Sequence, residues 1–360
     1  MDNISVLIKP ASSLCNLRCR YCFYANEAES RDVASHGIMS DETIDVLTAR
    51  IHEALKGKGN ANISFQGGEP TTAGLDFFRR FVSSMRKYPD IKVQWSIQTN
   101  GTLLNEAWAE FFHEHHFLAG VSLDGYQKNM DQFRVDQKNN GVYWNVNKGI
   151  DCLKKAGVEY NILTVVTRQL AEHPKALFSF YKEHHYEYVQ LISCLPPLDG
   201  SDDGISLRPQ DYEAFFIAFF DAWDKDARKT GKPLNVNLFD NILGMLQGYA
   251  PYQCGMLGRC SVQYVIESNG DVYPCDFYCL DEWKLGNLKD DSFGQLAEKS
   301  NAKEFVKTSA CRKTPCASCR YQNMCNGGCR RQNACYLTDE HCAYQKLMDH
   351  MIKTFRNHQH

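Results

Sequence analysis

The stretch Cys15-Asn16-Leu17-Arg18-Cys19-Arg20-Tyr21-Cys22-Phe23-Tyr24 follows the short apolar run Ser5-Val6-Leu7-Ile8 and sets three cysteines within one loop. Three thiolates at that spacing can hold three corners of a cubane iron–sulfur cluster, which ordinarily takes four cysteines. One iron is then left open, and an open metal position lets a small molecule chelate the metal and be held for chemistry. A structural zinc knuckle fits the same spacing, so the trio alone does not name the metal.

Outward from this loop, short apolar runs alternate with amphipathic segments. The runs are Ser5 to Ile8, Ile63 to Phe65, Val93 to Ile97, Gly120 to Leu123, Asn161 to Val166 and Tyr188 to Ile192. Between them the clearest helix has Ser40 as N-cap before Asp41 and Glu42, with Ile44, Leu47, Ile51 and Leu55 on one stripe. Such alternation predicts an α/β fold with a parallel sheet. About six units are present, fewer than the eight of a closed barrel, so a partial (β/α)6 TIM-like barrel is expected. Polar and glycine-rich residues follow each strand: Cys15 to Cys22, Gln66-Gly67-Gly68-Glu69-Pro70, Gln98-Thr99-Asn100-Gly101 and Asp124-Gly125. Barrel enzymes place their sites at those strand ends.

Sixteen cysteines are the compositional anomaly. The net charge of −3 gives no electrostatic footprint for nucleic acid. No apolar run approaches the roughly 18 residues of a membrane span, and the aromatic stretch Phe215 to Trp223 reads as a buried helix segment. The N-terminal residues MDNISVLIKPASS lack the features of a signal peptide, so a cytoplasmic chain is expected. In a reducing compartment, many cysteines point to metal or catalysis rather than disulfides.

Eleven of the cysteines fall between Cys254 and Cys342. A turn-rich connector from Pro196 to Gly204 precedes that region, which divides the chain into domains at 1–235 and 236–360. Helices are expected near Asp211 to Thr230 and Asn237 to Leu246. A hairpin is expected with arms Val262 to Glu267 and Asp271 to Tyr273, Asn269-Gly270 signalling a type I′ turn. Cys316, Cys319, Cys325, Cys329 and Cys342, with Cys254, Cys260 and Cys275, give eight candidate ligands, or two sets of four. Their spacing also suits zinc.

The cluster loop resembles the signature of radical S-adenosylmethionine (SAM) enzymes, and Gly67-Gly68-Glu69-Pro70 resembles their motif for the methionine part of SAM. That resemblance implies a cluster held by Cys15, Cys19 and Cys22, SAM on its open iron, and a 5′-deoxyadenosyl radical that abstracts hydrogen. The C-terminal region resembles the SPASM extension, which binds two auxiliary 4Fe-4S clusters. By that resemblance Cys254, Cys260, Cys275 and Cys329 hold one, and Cys316, Cys319, Cys325 and Cys342 the other. Cys152, Cys194, Cys279, Cys311 and Cys335 are left as small buried hydrophobes.

Within the family the chain is most similar to anaerobic sulfatase-maturating enzymes. The stretches that carry this are Leu7 to Ser13, Phe65 to Pro70, Gln98 to Thr102 and Tyr273-Pro274-Cys275-Asp276-Phe277-Tyr278. The resemblance implies oxidation of a cysteine or serine, in a Cys-x-Pro-x-Arg or Ser-x-Pro-x-Arg segment of a sulfatase, to formylglycine. It makes Asp276 the catalytic base, where an aspartate capping the hairpin end is the alternative. It places Tyr21, Gly68, Ser122, Arg134 and Leu195 against SAM, and Tyr24 and Gln66 against the peptide. It further implies a reducing donor such as flavodoxin or ferredoxin, and a monomer. After Asp124-Gly125 the chain departs from the family, with Tyr126 instead of a proline and no histidine before Arg134. A SPASM maturase that crosslinks a short precursor peptide is the runner-up, and a ferredoxin-like electron-transfer protein is a third reading.

Overall fold

A computed structural model of the chain describes residues 1–257, 259–308 and 313–357; Cys311 lies outside them. The described residues divide into two compact units. The first comprises Met1–Ser122, Phe133–Tyr160 and Ser261–Val306, and the second Leu123–Gln132, Asn161–Cys260 and Lys307–His360.

The first unit is built on four parallel strands: β1 (Asn3–Ile8), β2 (Gly59–Phe65), β3 (Ile91–Thr99) and β4 (Phe117–Ser122). Their register sets Ile8 beside Phe65, Phe65 beside Ile97, and Thr99 beside Val121, so the strand ends lie level and present their following loops together. Its helices are α1 (Phe23–Glu29), α2 (Asp41–Ala54), α3 (Leu75–Met85) and α4 (Glu106–Glu114), with a later one at Tyr143–Ala156. Ser40 caps α2 as expected, its side chain accepting the Thr43 N–H. Phe65, wholly buried, packs edge-on against Phe78 at 4.9 Å, and Trp95 stacks on Phe117 at 5.6 Å. Aromatic pairs of this kind add to what area burial alone contributes.

The second unit contains β5 (Tyr160–Val166) almost entirely, and β6 (Tyr188–Ser193) and β7 (Asn235–Val236), again parallel. All six strands expected from the sequence are therefore present, each followed by a helix. The long helix Pro209–Thr230 buries Phe215, Phe216, Phe219, Phe220 and Trp223, the stretch read as a buried helix segment. The helix Asn237–Leu246 also forms where expected. No helix among the described residues is long and apolar enough to cross a membrane.

The hairpin differs from expectation in its turn. Its arms, β8 (Val265–Ile266) and β9 (Asp271–Tyr273), pair antiparallel. Gly270 N–H donates to Glu267 O, and Glu267 N–H to Asp271 O. Gly270 alone of the loop takes a positive φ, +88°. A type I′ turn needs positive φ at both central residues, so the loop is instead a three-residue connection closed by a left-handed glycine. Asn269 is kept out of that conformation because its side-chain oxygen accepts the Asp271 N–H. β8 also adds in parallel beside β1, Leu7 opposite Val265 and Ile8 opposite Ile266, which carries the Cys275-Asp276 stretch to the end of β1.

Candidate active site

The cluster loop leaves β1 and closes on itself through local bonds. Cys22 N–H donates to Cys19 O, and Leu17 N–H to Cys15 Sγ at 3.3 Å. It is braced by the 133–135 segment, where Arg18 N–H donates to Val135 O and Arg20 N–H to Phe133 O. Arg134, buried, reaches Cys19 Sγ from Nη1 at 3.9 Å and lies 5.4 Å from the Tyr21 ring centroid. Asn100 Nδ2 lies 3.9 Å from Cys15 Sγ. Burial pushes the Cys15 thiol up to about 12, with Glu69, Cys19 and Cys22 adding to the rise. Cys22 is raised too, by burial, against backbone N–H groups of Ala25 and Tyr24 and the charge of Arg134. Thiols this reluctant to ionise become thiolates when a metal takes the proton's place, and amide and guanidinium donors aimed at the sulfurs suit an iron–sulfur cluster.

The glycine loop after β2 is fixed against this. Gly68 has φ +53°, and a Cβ there would lie 2.3 Å from Leu14 O and 2.9 Å from Ser12 O. No other residue fits without moving the cluster loop. Glu69 donates its own N–H to Leu14 O. Its Oε1 accepts from Thr71 N (3.0 Å), Thr71 Oγ1 (2.6 Å) and Thr99 Oγ1 (2.7 Å), and its Oε2 from Asn100 N (2.6 Å). Burial raises the Glu69 pKa against these donors. Glu69, part of the motif that resembles the one for the methionine part of SAM, therefore ties the ends of β2 and β3 together. Ser122 ends β4 in this unit, and Leu195 lies in the second unit.

Tyr24, Gln66 and Asp276, separated widely in sequence, converge. Asp276 Oδ2 accepts from the Tyr24 hydroxyl at 2.6 Å and from Gln66 Nε2 at 2.6 Å, and Gln66 Nε2 also donates to Tyr24 Oη at 3.0 Å. Asp276 is only 8% exposed, and its Oδ1 has no partner. Burial raises its pKa, opposed by the charge of Lys9 and the two donors.

Around this carboxylate lies a buried charge network that sequence reasoning missed. Lys9 Nζ is 3.4 Å from Glu267 Oε1 and 3.9 Å from Glu27 Oε2, and Arg31 Nη1 donates to Glu267 Oε1 at 2.7 Å. Burial works against the charge of Lys9, but Cys279, Glu267, Glu27 and Asp276 outweigh it and raise its pKa. Lys9 and Arg31 likewise outweigh burial at Glu267 and hold it below the usual carboxylate range. Glu27 differs: burial pushes it up to about 8, and neither oxygen has a partner at hydrogen-bond distance although the Cys279 N–H points toward it. Cys279, wholly buried, is the small core residue expected, yet it sits among these charges. The only sequence signal was the position of Lys9 directly after β1.

In the second unit Cys316, Cys319, Cys325 and Cys342 stand close enough for their charges to interact. Burial raises Cys325 and pushes Cys342 up to about 11, against N–H groups of Gly327 and Gln345 respectively. A Cβ on Gly255 would lie 3.1 Å from Cys329 Cβ, and Asn326 Nδ2 donates to Met256 O, so the turn of Cys254 packs on the loop of Cys329. Cys335 and Cys194 are buried, with Cys335 Sγ 3.4 Å from Cys194 O, and Cys152 is half-buried.

Comparison with known proteins decides the family. The radical SAM superfamily pattern matches residues 10–180, and the SPASM iron-sulfur cluster-binding domain matches residues 254–321. The chain is 41% identical to a cysteine-type anaerobic sulfatase-maturating enzyme of Clostridium novyi (strain NT), over 92% of this chain and 89% of that one. It belongs to the anaerobic sulfatase-maturating enzymes. A serine-type member from Bacteroides thetaiotaomicron is 32% identical, over 90% of this chain and 82% of its own length. Among solved structures, native anSMEcpe with bound AdoMet matches with a TM-score of 0.90 at 38% identity, covering 98% of each chain. Membership of this family makes the chain a radical SAM oxidative enzyme with a SPASM region for auxiliary clusters.

Proposed function

We propose that this enzyme converts a cysteine or serine in a Cys-x-Pro-x-Arg or Ser-x-Pro-x-Arg segment of a sulfatase to formylglycine. The observation that carries the reading is the Asp276 carboxylate: buried, fixed through Oδ2 by Tyr24 and Gln66, with a buried Oδ1 that has no hydrogen-bond partner and so a lone pair left to take a proton. Formylglycine formation removes two electrons and two hydrogens from the target's Cβ and its hydroxyl or thiol; serine gives the aldehyde directly, whereas cysteine gives a thioaldehyde that water hydrolyses to the aldehyde with release of hydrogen sulfide. When bound, SAM at the first cluster supplies a hydrogen-atom acceptor for the β-carbon, and the auxiliary clusters supply an acceptor for the remaining electron.

The chain's own residues do the rest. Cys15, Cys19 and Cys22 would hold the first cluster, with Tyr21, Gly68, Ser122, Arg134 and Leu195 around SAM. Cys254, Cys260, Cys275 and Cys329 would hold one auxiliary cluster, and Cys316, Cys319, Cys325 and Cys342 the other. Asp276 takes the thiol or hydroxyl proton at Oδ1, a role that demands hydrogen-bond reach of the target. Tyr24 and Gln66 orient that carboxylate and line the peptide's approach. Residues 1–235 form the radical SAM part and 236–360 the auxiliary-cluster part. The enzyme acts in the cytoplasm as a monomer, reduced by a flavodoxin or ferredoxin.

The test is anaerobic incubation of the reconstituted enzyme with SAM, a reductant and each peptide, read by mass. Loss of two hydrogens from the serine peptide, or replacement of sulfur by oxygen in the cysteine peptide, supports the proposal. Unmodified peptides alongside SAM turnover would overturn it.

A further inference from the structure

The side chain of Lys9 lies across the first glycine of the Gln66-Gly67-Gly68 turn. A Cβ on Gly67 would sit 2.5 Å from Lys9 Cε and 2.6 Å from Lys9 Cγ, contacts no ordinary packing allows. The side chain is 3% exposed, and at its far end the ammonium is held 3.4 Å from Glu267 and lies 4.9 Å from the Tyr24 ring centroid. At its near end the backbone N–H of Lys9 donates to Ile266 O at 2.8 Å. One side chain thus reaches one donor of Asp276, the ring of Tyr24, through its charge, and packs through its stem on Gly67, the residue after the other donor, Gln66.

We propose that Lys9 is a positioning residue for the oxidation. Its ammonium, anchored on Glu267, seats the Tyr24 ring by cation–π attraction, while its stem supports the turn that carries Gln66. Together these hold Asp276 so that Oδ1 faces the target side chain. Gly67 is glycine so that this stem can pass. The inference rests on Asp276 being the base and adds the residue that aims it.

Removing one member of a buried ion pair is costly where it leaves the other charge uncompensated. Removing Lys9 leaves Glu267 paired, because Arg31 bonds it at 2.7 Å. Lys9→Met should therefore fold, which separates positioning from stability.

The experiment compares anaerobically reconstituted wild-type and Lys9→Met enzyme for iron content, thermal melting, 5′-deoxyadenosine formed and formylglycine formed. The expected result is unchanged iron, a melting temperature near wild type and continued SAM cleavage, with formylglycine per SAM cleaved down about tenfold or more, of the order lost when a general base is misaimed. An unchanged ratio overturns the proposal, as does a parallel fall of both products, which marks a merely structural role.

A second measurement needs no turnover. Gly67→Ala is placed in the wild-type and Lys9→Ala backgrounds, and melting of the four proteins closes a double-mutant cycle. At φ +87° alanine is strained in either background, but the clash with the stem exists only with Lys9 present. A clearly smaller loss in the Lys9→Ala background is expected; equal losses would contradict the role given to Gly67. If wild type makes no formylglycine, the proposed function fails by itself, whereas the Lys9 proposal fails when wild type and Lys9→Met make it equally well.

Discussion

The Tyr24 hydroxyl donates to Asp276 Oδ2 at 2.6 Å, although 252 positions separate the two residues. This bond joins the helix that follows the cluster loop to the end of the β8–β9 hairpin. β8 brings the hairpin there by pairing with β1, so the carboxylate and the cluster loop share one strand end.

Replacing Asp276 with asparagine keeps the size and both donors' contacts but removes the proton acceptor. Formylglycine formation should fall by at least about 100-fold, while SAM cleavage continues. Quantifying 5′-deoxyadenosine and aldehyde in one reaction checks this; full aldehyde yield would remove Asp276 from the mechanism.

Cluster ligands separate by their readout. Cys22→Ala should lose about four irons per chain, one cubane, together with all SAM cleavage. Cys342→Ala should lose a similar amount of iron but keep SAM cleavage and lose coupled product. Iron and sulfide analysis beside a cleavage assay decides both.

Gly68 allows no side chain, because a Cβ would press on Leu14 O and Ser12 O at a positive φ. Gly68→Ala should cost on the order of 1–3 kcal/mol of local strain, shifting the cluster loop and weakening SAM binding about tenfold or more. Equilibrium dialysis with SAM measures it; wild-type affinity would mean that the loop tolerates the methyl group.

Glu27 sets a pH dependence of stability. Its carboxyl is raised by burial from 4.5 to about 8, so between those values the folded chain holds a proton that the unfolded chain has released. The folded state binds more protons in that window, and stability therefore falls as pH rises through it. Thermal melts of wild type should show the decline from pH 5 toward 8, and Glu27→Gln should flatten it. An equal slope in both proteins would contradict the assignment.

The strand–helix alternation was legible because each strand is a short apolar run closed by polar or glycine-rich residues, and Ser40 marked a helix start that the structure reproduces. The turn at Asn269-Gly270 was misread, since the dipeptide signal cannot show that the Asn269 side chain is already committed to the Asp271 N–H. Asp276, Tyr24 and Gln66 were named from resemblance, and the structure joins them directly. Lys9, Glu27, Arg31 and Glu267 stayed hidden for a physical reason. A charged residue in sequence reads as solvated surface, and only the fold shows that two cations and two carboxylates from three separate segments bury one another.

The most direct measurement is electron paramagnetic resonance of the reduced, anaerobically prepared enzyme before and after SAM is added. With three cysteines on the first cluster and a free iron corner, the signal lost in Cys22→Ala should change when SAM binds, and the signal lost in Cys342→Ala should not. An identical spectrum with saturating SAM, or zinc at Cys15, Cys19 and Cys22, would contradict the account.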